Sequence, residues 1–287
     1  MGAAQAAVDR FVRGVEAEGL RAHGVEVLVG DEIARHRWVP EGPADIHSIA
    51  KSVCVIAAGI AADEGVFDLD APVARYLPDM VLGAGVGEVT ARHLFTMTSG
   101  IDLPWTPTLF EDWPDLAREF LRRPSRGRVS QYANASTYTA MRALAAVVGD
   151  VRDWLAPRLF EPLGIDDPLW DRCPNGWIKA GEGLHLRTGE LARIGRLIRD
   201  RGEWRGRRLV DARWIDAMHS DWIATGGSPG YERYALSGWA GPGDAWRLHG
   251  AYGQLLVFAG DAVVTVTADD HEGGYRMAEL AAEAVGA

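Results

Sequence analysis

The chain has 287 residues, 47% of them apolar and 24% charged, with a formal net charge of −10. That length suffices for one large domain or two moderate ones and buries a core without help from disulfides or metals, and the composition argues against disorder. The acidic balance excludes nucleic acid as the main partner, because that surface needs a basic face.

Residues 3–19 place Val8, Phe11, Val12 and Val15 at helical spacing and predict an amphipathic helix ending near Gly19. Residues 25–29 and 33–39 read as two strands joined by a turn at Gly30-Asp31. Residues 48–65 are apolar nearly all round, which predicts a buried central helix. From 66 to 175 the pattern is helical, with helices expected over 92–97, 113–123, 137–148 and 152–160 and no convincing strand. A helix over 186–201 follows, with Thr188 as its expected cap and Glu190 in the first turn, then another over 211–219. Residues 234–239, 246–249, 254–259 and 262–268 read as strands, the last two joined by a turn at Gly260-Asp261, and a helix over 275–285 closes the chain. The reading is α+β: an antiparallel sheet flanked by helices, built from 1–65 and 176–287, with 66–175 inserted as an all-helical domain.

Cys54 and Cys173 are not spaced as a disulfide framework or a metal site and read as small buried apolar residues. The eight histidines show no metal-ligand spacing, and no cofactor motif occurs, so neither metal nor cofactor is expected. The opening residues lack a basic stretch followed by an apolar run, and no run of ~18 apolar residues occurs, so the expectation is a soluble cytoplasmic protein. The oligomeric state is not legible.

Three segments carry candidate chemistry. In Ser48-Ile49-Ala50-Lys51 the serine and lysine stand three apart at the start of a helix, on one face. A serine hydroxyl needs a partner that takes its proton, and burial disfavours a lysine's charged form, which leaves a usable base. The spacing alone is common. It gains weight because the chain has only two lysines, Lys51 and Lys179, against 28 arginines, and because this helix is otherwise too apolar to hold a charge. Tyr132-Ala133-Asn134 follows a loop and opens a helix. A tyrosine near a lysine can relay protons, and an asparagine can hold a carbonyl or an amine. In His249-Gly250-Ala251-Tyr252 a strand ends in small residues that let backbone lie open beside a ligand, where the N–H of Tyr252 can pair with that of Ser48 as an oxyanion hole.

In this order, and with the surrounding stretches 46–70, 71–80, 89–101, 158–167 and 183–198, the segments resemble the serine β-lactamase and penicillin-binding-protein-like superfamily. More narrowly they resemble its class C β-lactamase-related esterases and amidases, including 6-aminohexanoate-oligomer hydrolases. The resemblance covers roughly residues 20–270 and implies a β-lactamase-like fold with the site between a sheet domain and a helical domain. It also implies an acyl-enzyme: Ser48 attacks, Lys51 and the Tyr132 phenolate shuttle its proton, and Asn134 holds the substrate carbonyl or amide. The third segment departs from the family's Lys-Thr-Gly, and a histidine is only partly charged near neutrality, which disfavours a dedicated β-lactamase. Gly253-Gln254 and Met97-Thr98-Ser99-Gly100 look more like the relatives that cleave esters and small amides.

The expected function is therefore a serine hydrolase of small esters or amides. The alternatives are an acyltransferase or cyclase of specialised metabolism with the same site, a β-lactamase or D-alanyl carboxypeptidase, and a non-catalytic binder that kept the fold. Trp105, Trp113, Trp170, Trp177, Trp222 and Trp239 are candidates to line the cleft, where aromatic walls would favour apolar acyl groups.

Overall fold

The computed structural model describes residues 2–103 and 112–287; Trp105 lies outside them. In chain order, α1 (Ala3–Glu18) leads into β1 (Ala22–Val29) and β2 (Glu32–Arg37), followed by β3 (Ala44–Asp45) and α2 (Ala50–Asp63). Between them, α3 (Ala91–Phe95), α4 (Leu116–Leu121), α5 (Asn134–Val148) and α6 (Val151–Leu155) fill the middle of the chain. Then come β4 (His185–Leu186), α7 (Thr188–Arg199), β5 (Glu203–Trp204), β6 (Arg207–Arg208) and α8 (Ala212–Asp216). The last part holds β7 (Ile223–Ala224), β8 (Arg233–Tyr234), β9 (Trp239–Ala240), β10 (Trp246–Gly250), β11 (Gln254–Ala259), β12 (Ala262–Ala268) and α9 (Gly274–Ala284).

Eight of the strands form one antiparallel sheet in the order β2-β1-β12-β11-β10-β9-β8-β7, so strands from both ends of the chain share it. Both faces are covered. On one, Val25 and Val27 of β1, Leu255 and Val257 of β11 and Val264 and Val266 of β12 pack with Ala7, Phe11 and Val15 of α1 and Met277 and Ala281 of α9. On the other, Leu256, Phe258 and Val263 join α2, α7 and the middle helices in one continuous core. Two covered faces explain why these strands read as apolar runs rather than as alternating ones. No helix among the described residues is long and apolar enough to cross a membrane.

The α+β architecture agrees with the sequence reading, and β11 and β12 fall on the expected residues. Three details differ. Residues 234–239 are not one strand: β8 and β9 are two-residue strands joined by a turn at Ser237, φ +75°, and Gly238, which lies so close to the Met218 carbonyl that no side chain fits. Thr188 does not cap α7. Arg187 is the cap residue, Glu190 Oε2 accepts its N–H at 2.8 Å, and the Thr188 hydroxyl instead meets that of Thr267 on β12 at 2.7 Å. Finally, the helix of 152–160 widens after Leu155 into a π-helical turn, Ala156–Phe160, that contains Pro157.

Both cysteines are free and buried, as expected. The twelve residues from Ala50 to Ala61 are all buried, which makes α2 the axis on which the sheet and the middle helices meet.

Candidate active site

Ser48 lies in a 3-10 turn, His47–Ile49, that runs straight into α2. Asp45 shapes that turn. Its carboxylate accepts the N–H of His47 at 2.7 Å and that of Gly183 at 2.9 Å, so one side chain ties the Ser48 turn to the loop before β4. His47 sits at φ +48°, a left-handed conformation that a non-glycine residue holds only when its surroundings impose it.

Lys51 follows one turn later and is 1% exposed. Its Nζ has three neighbours: Ser48 Oγ at 2.9 Å, Asn134 Oδ1 at 2.7 Å and the Gly181 carbonyl at 2.8 Å. The last two atoms can only accept. An ammonium donates to all three; a neutral amine spends both N–H bonds on Asn134 and Gly181, which leaves its lone pair for the Ser48 hydroxyl.

Asn134, the first residue of α5, is fixed in orientation by the same logic. Its Oδ1 must face the lysine, and its Nδ2 donates to Glu182 Oε2 at 2.9 Å. The loop carrying Gly181 and Glu182 is itself strained: Ala180 has φ +60°, and the Gly181 N–H closes a tight bond to the Lys179 carbonyl at 2.6 Å. Cys54 Sγ donates to the Ala180 carbonyl at 3.3 Å, so Lys51 and Cys54, one helical turn apart, hold two successive carbonyls of this loop. Burial pushes the Cys54 thiol up, and it stays protonated and inert.

Tyr132 meets Lys51 through its ring, with Nζ 4.9 Å from the centroid; among the described residues its hydroxyl makes no hydrogen bond. The ring also contacts Tyr234 at 5.8 Å and Trp239 at 5.4 Å, which makes it the inner edge of an aromatic wall. Tyr231, Tyr234 and Trp239 continue that wall, and Tyr275 joins it against Tyr231 at 5.3 Å.

The third segment reaches the Ser48 turn through backbone. Gly250 ends β10 so close to the Ile46 carbonyl that a Cβ would sit 2.3 Å from it, so only glycine lets the strand approach the Ser48 turn. Ala251 and Gly253 flank Tyr252, which sits at φ +61° and lays its ring 5.1 Å from that of His47. His249 departs from its expected charge state. Its ring stands between Tyr231 and Tyr275, and its Nδ1 is 2.5 Å from the Tyr231 hydroxyl. Desolvation, then the positive charge of Arg247, lower its pKa to about 4, so it is neutral at pH 7 rather than partly charged.

The structure thus brings Ser48, Lys51, Tyr132 and Asn134 into one cluster, with the end of β10 beside it. Sequence reasoning missed Asp45, the Gly181 carbonyl and Glu182. The signal for the last two was the run Gly181-Glu182-Gly183, small residues around an acid. Of the tryptophans, Trp239 joins the wall, and Trp113 lines a small hollow of about 40 Å3 beside Asn134, Lys179 and Glu182. Trp170 backs the site, donating to the Glu182 carbonyl, whereas Trp177 and Trp222 stack on Arg142 and Arg233. A groove of about 880 Å3 lies at the far end of α2 between Phe67, Arg75 and Trp214 and contains none of these groups, so chemistry rather than size locates the site. Among the described residues there is no group of acids, histidines and cysteines able to hold a metal.

Residues 9–284 match the sequence model of a family described as Beta-lactamase. The 6-aminohexanoate-dimer hydrolase of Paenarthrobacter ureafaciens is 26% identical over 223 residues, 68% of this chain, which spans about half, 55%, of that relative's length. A penicillin-binding protein homologue from Caulobacter crescentus superposes with a TM-score of 0.77 at 17% identity, covering 99% of this chain and 98% of its own. A class C beta-lactamase from Rhodobacter sphaeroides gives 0.75 at 18% identity over 98% of each chain.

Proposed function

The chain belongs to the beta-lactamase family of serine hydrolases, and from that premise we propose that it cleaves small esters or amides through an acyl-enzyme on Ser48. The observation that carries this reading is the three-way bonding of Lys51. With both N–H bonds of the amine spent on Asn134 and Gly181, the lone pair takes the Ser48 proton as Oγ attacks the substrate carbonyl. The N–H groups of Ser48 and Tyr252 are the donors for the oxyanion, a reading supported by the close approach of Gly250 to the Ile46 carbonyl. As the tetrahedral intermediate collapses, the proton passes from Lys51 to the leaving alcohol or amine, with Tyr132 as the relay nearest the amine. Water then attacks the acyl-enzyme and gives its proton to Lys51, which returns it to Ser48 Oγ as the bond to the acyl carbon breaks and the acid leaves. Asn134 acts mainly on Lys51 rather than on the substrate, since its Oδ1 is engaged there and Glu182 holds its amide. A neutral His249 supplies no cation to a β-lactam carboxylate, which favours ester or amide cleavage over a β-lactamase.

The test is intact-protein mass spectrometry after incubation with a fluorophosphonate and with p-nitrophenyl acetate. Wild type gains one adduct and Ser48→Ala gains none. Retained turnover of the acetate by Ser48→Ala would overturn the assignment of the nucleophile.

A further inference from the structure

Arg247 is the one buried arginine among the described residues, at 6% exposure, and no carboxylate among them pairs with it. The contrast with the rest of the chain is sharp: even well-exposed arginines such as Arg35, Arg122 and Arg213 hold an acid. Its Nε has no hydrogen-bond partner, and its guanidinium lies over the Tyr231 ring, 4.7 Å from the centroid. The acid whose charge reaches that tyrosine, Glu279, is bonded to Arg276 at 2.9 Å. A guanidinium cannot shed its proton, so this site carries a desolvated positive charge without its counter-ion.

Its place in the fold says what the counter-ion is for. Arg247 and His249 are two apart on β10 and share a face, and Arg247 is paired in register with Trp239 of β9, which touches Tyr132. From Arg247 the strand runs three residues, about 10 Å, to Gly250 and the Ser48 turn. A series of ring contacts links the two, from Arg247 through Tyr231, Trp239 and Tyr132 to Lys51. An extended molecule with its carbonyl at Ser48 and an apolar middle along that wall ends at Arg247.

We propose that Arg247 is the anion subsite of the cleft and that the substrates are esters or amides of acids bearing a second, free carboxylate several atoms from the scissile carbonyl. The proposal rests on the acyl-enzyme reading for its kinetics but not for its binding. A planar guanidinium whose Nε lacks a partner matches a carboxylate, and the aromatic faces beside it suit a methylene chain.

The test compares mono-p-nitrophenyl adipate with its methyl ester, which differ only in the free carboxylate. Wild type is expected to favour the acid at least tenfold in kcat/KM, chiefly through KM, and Arg247→Met to bring the ratio near one. A wild type with no preference for the acid, or an Arg247→Met variant that keeps it, overturns the proposal. Binding is read separately: adipate should raise the melting temperature of Ser48→Ala in a dose-dependent way but not that of Ser48→Ala/Arg247→Met, and equal shifts in both overturn it. Should neither ester be turned over nor Ser48 labelled, the acyl-enzyme reading fails, while the adipate shift still decides the role of Arg247.

Discussion

Lys51 has spent its surroundings on one arrangement. Two acceptors aim it and the third neighbour is the Ser48 hydroxyl, so the side chain is both held in place and directed at Ser48. Replacing it with methionine keeps the length and removes the amine. We expect Lys51→Met to slow acylation by about 10²–10⁴-fold, the usual contribution of a positioned acid/base group, while the protein stays folded. Burst kinetics with p-nitrophenyl acetate measure this directly, and a near-normal burst rate would refute the role. Ser48 and Lys51 were legible because helical geometry alone brings residues three apart together. Gly181 and Glu182 were not, since they reach the site from 130 and 48 positions away along the chain, through a loop whose path no local pattern dictates. The charge state of His249 differs from the sequence reading for a related reason: it depends first on burial among aromatic rings that come from the loop before β8 and from α9, and then on Arg247.

At the scale of elements, the site is where α2, the start of α5 and the loop before β4 are joined by hydrogen bonds and the end of β10 packs against the Ser48 turn. The loop is the part most open to disturbance. A methyl group at Gly181 would meet Asn134 at 3.0–3.1 Å, and Asn134 would have to yield by a few tenths of an ångström. Since Asn134 aims Lys51, Gly181→Ala should lower kcat about tenfold with little change in KM or melting temperature, in keeping with the cost of small misplacements in a catalytic group. Steady-state kinetics with a neutral ester, alongside thermal unfolding, separate this from simple destabilisation. The outer helices are readable from periodicity because each buries one face against a layer, whereas α2, β11 and β12 are readable as apolar runs because they are buried all round. The exception, 234–239, was read as a single strand from its β-forming residues. A turn at Ser237 interrupts it, and Gly238 is pressed against the Met218 carbonyl, a contact that local propensity does not encode.

For the molecule as a whole, Asp270 fastens the end of β12 to the start of β1. Its carboxylate accepts the N–H of Arg21 at 3.0 Å and that of Gly273 at 2.9 Å, and these bonds hold its pKa below the usual value. Such a lowered carboxylate adds stability that is fully present above its unfolded pKa of about 3.9 and is lost as pH falls through the lower native value. Asp270→Asn should therefore melt several degrees lower at pH 7, on the order of 1.5–3 kcal/mol for bonds to a charged group, and the gap should close as pH falls through the lowered native pKa of Asp270. A gap that persisted in acid would show that shape rather than charge carries the effect. That β1 pairs with β12 was the least legible feature, because nothing in either strand names a partner some 240 residues away.

That pairing has a consequence in time. On the ribosome, β1 and β2 emerge long before β10, β11 and β12, and they must wait for almost the whole chain before the sheet can close. Ser48 waits with them, since Gly250 is among the last residues to reach its turn. A nascent chain can form α2, with its serine and lysine already one turn apart, and still be chemically silent. Because a contact of such sequence separation forms late and slowly, turnover would return with the last refolding step rather than with the first helices.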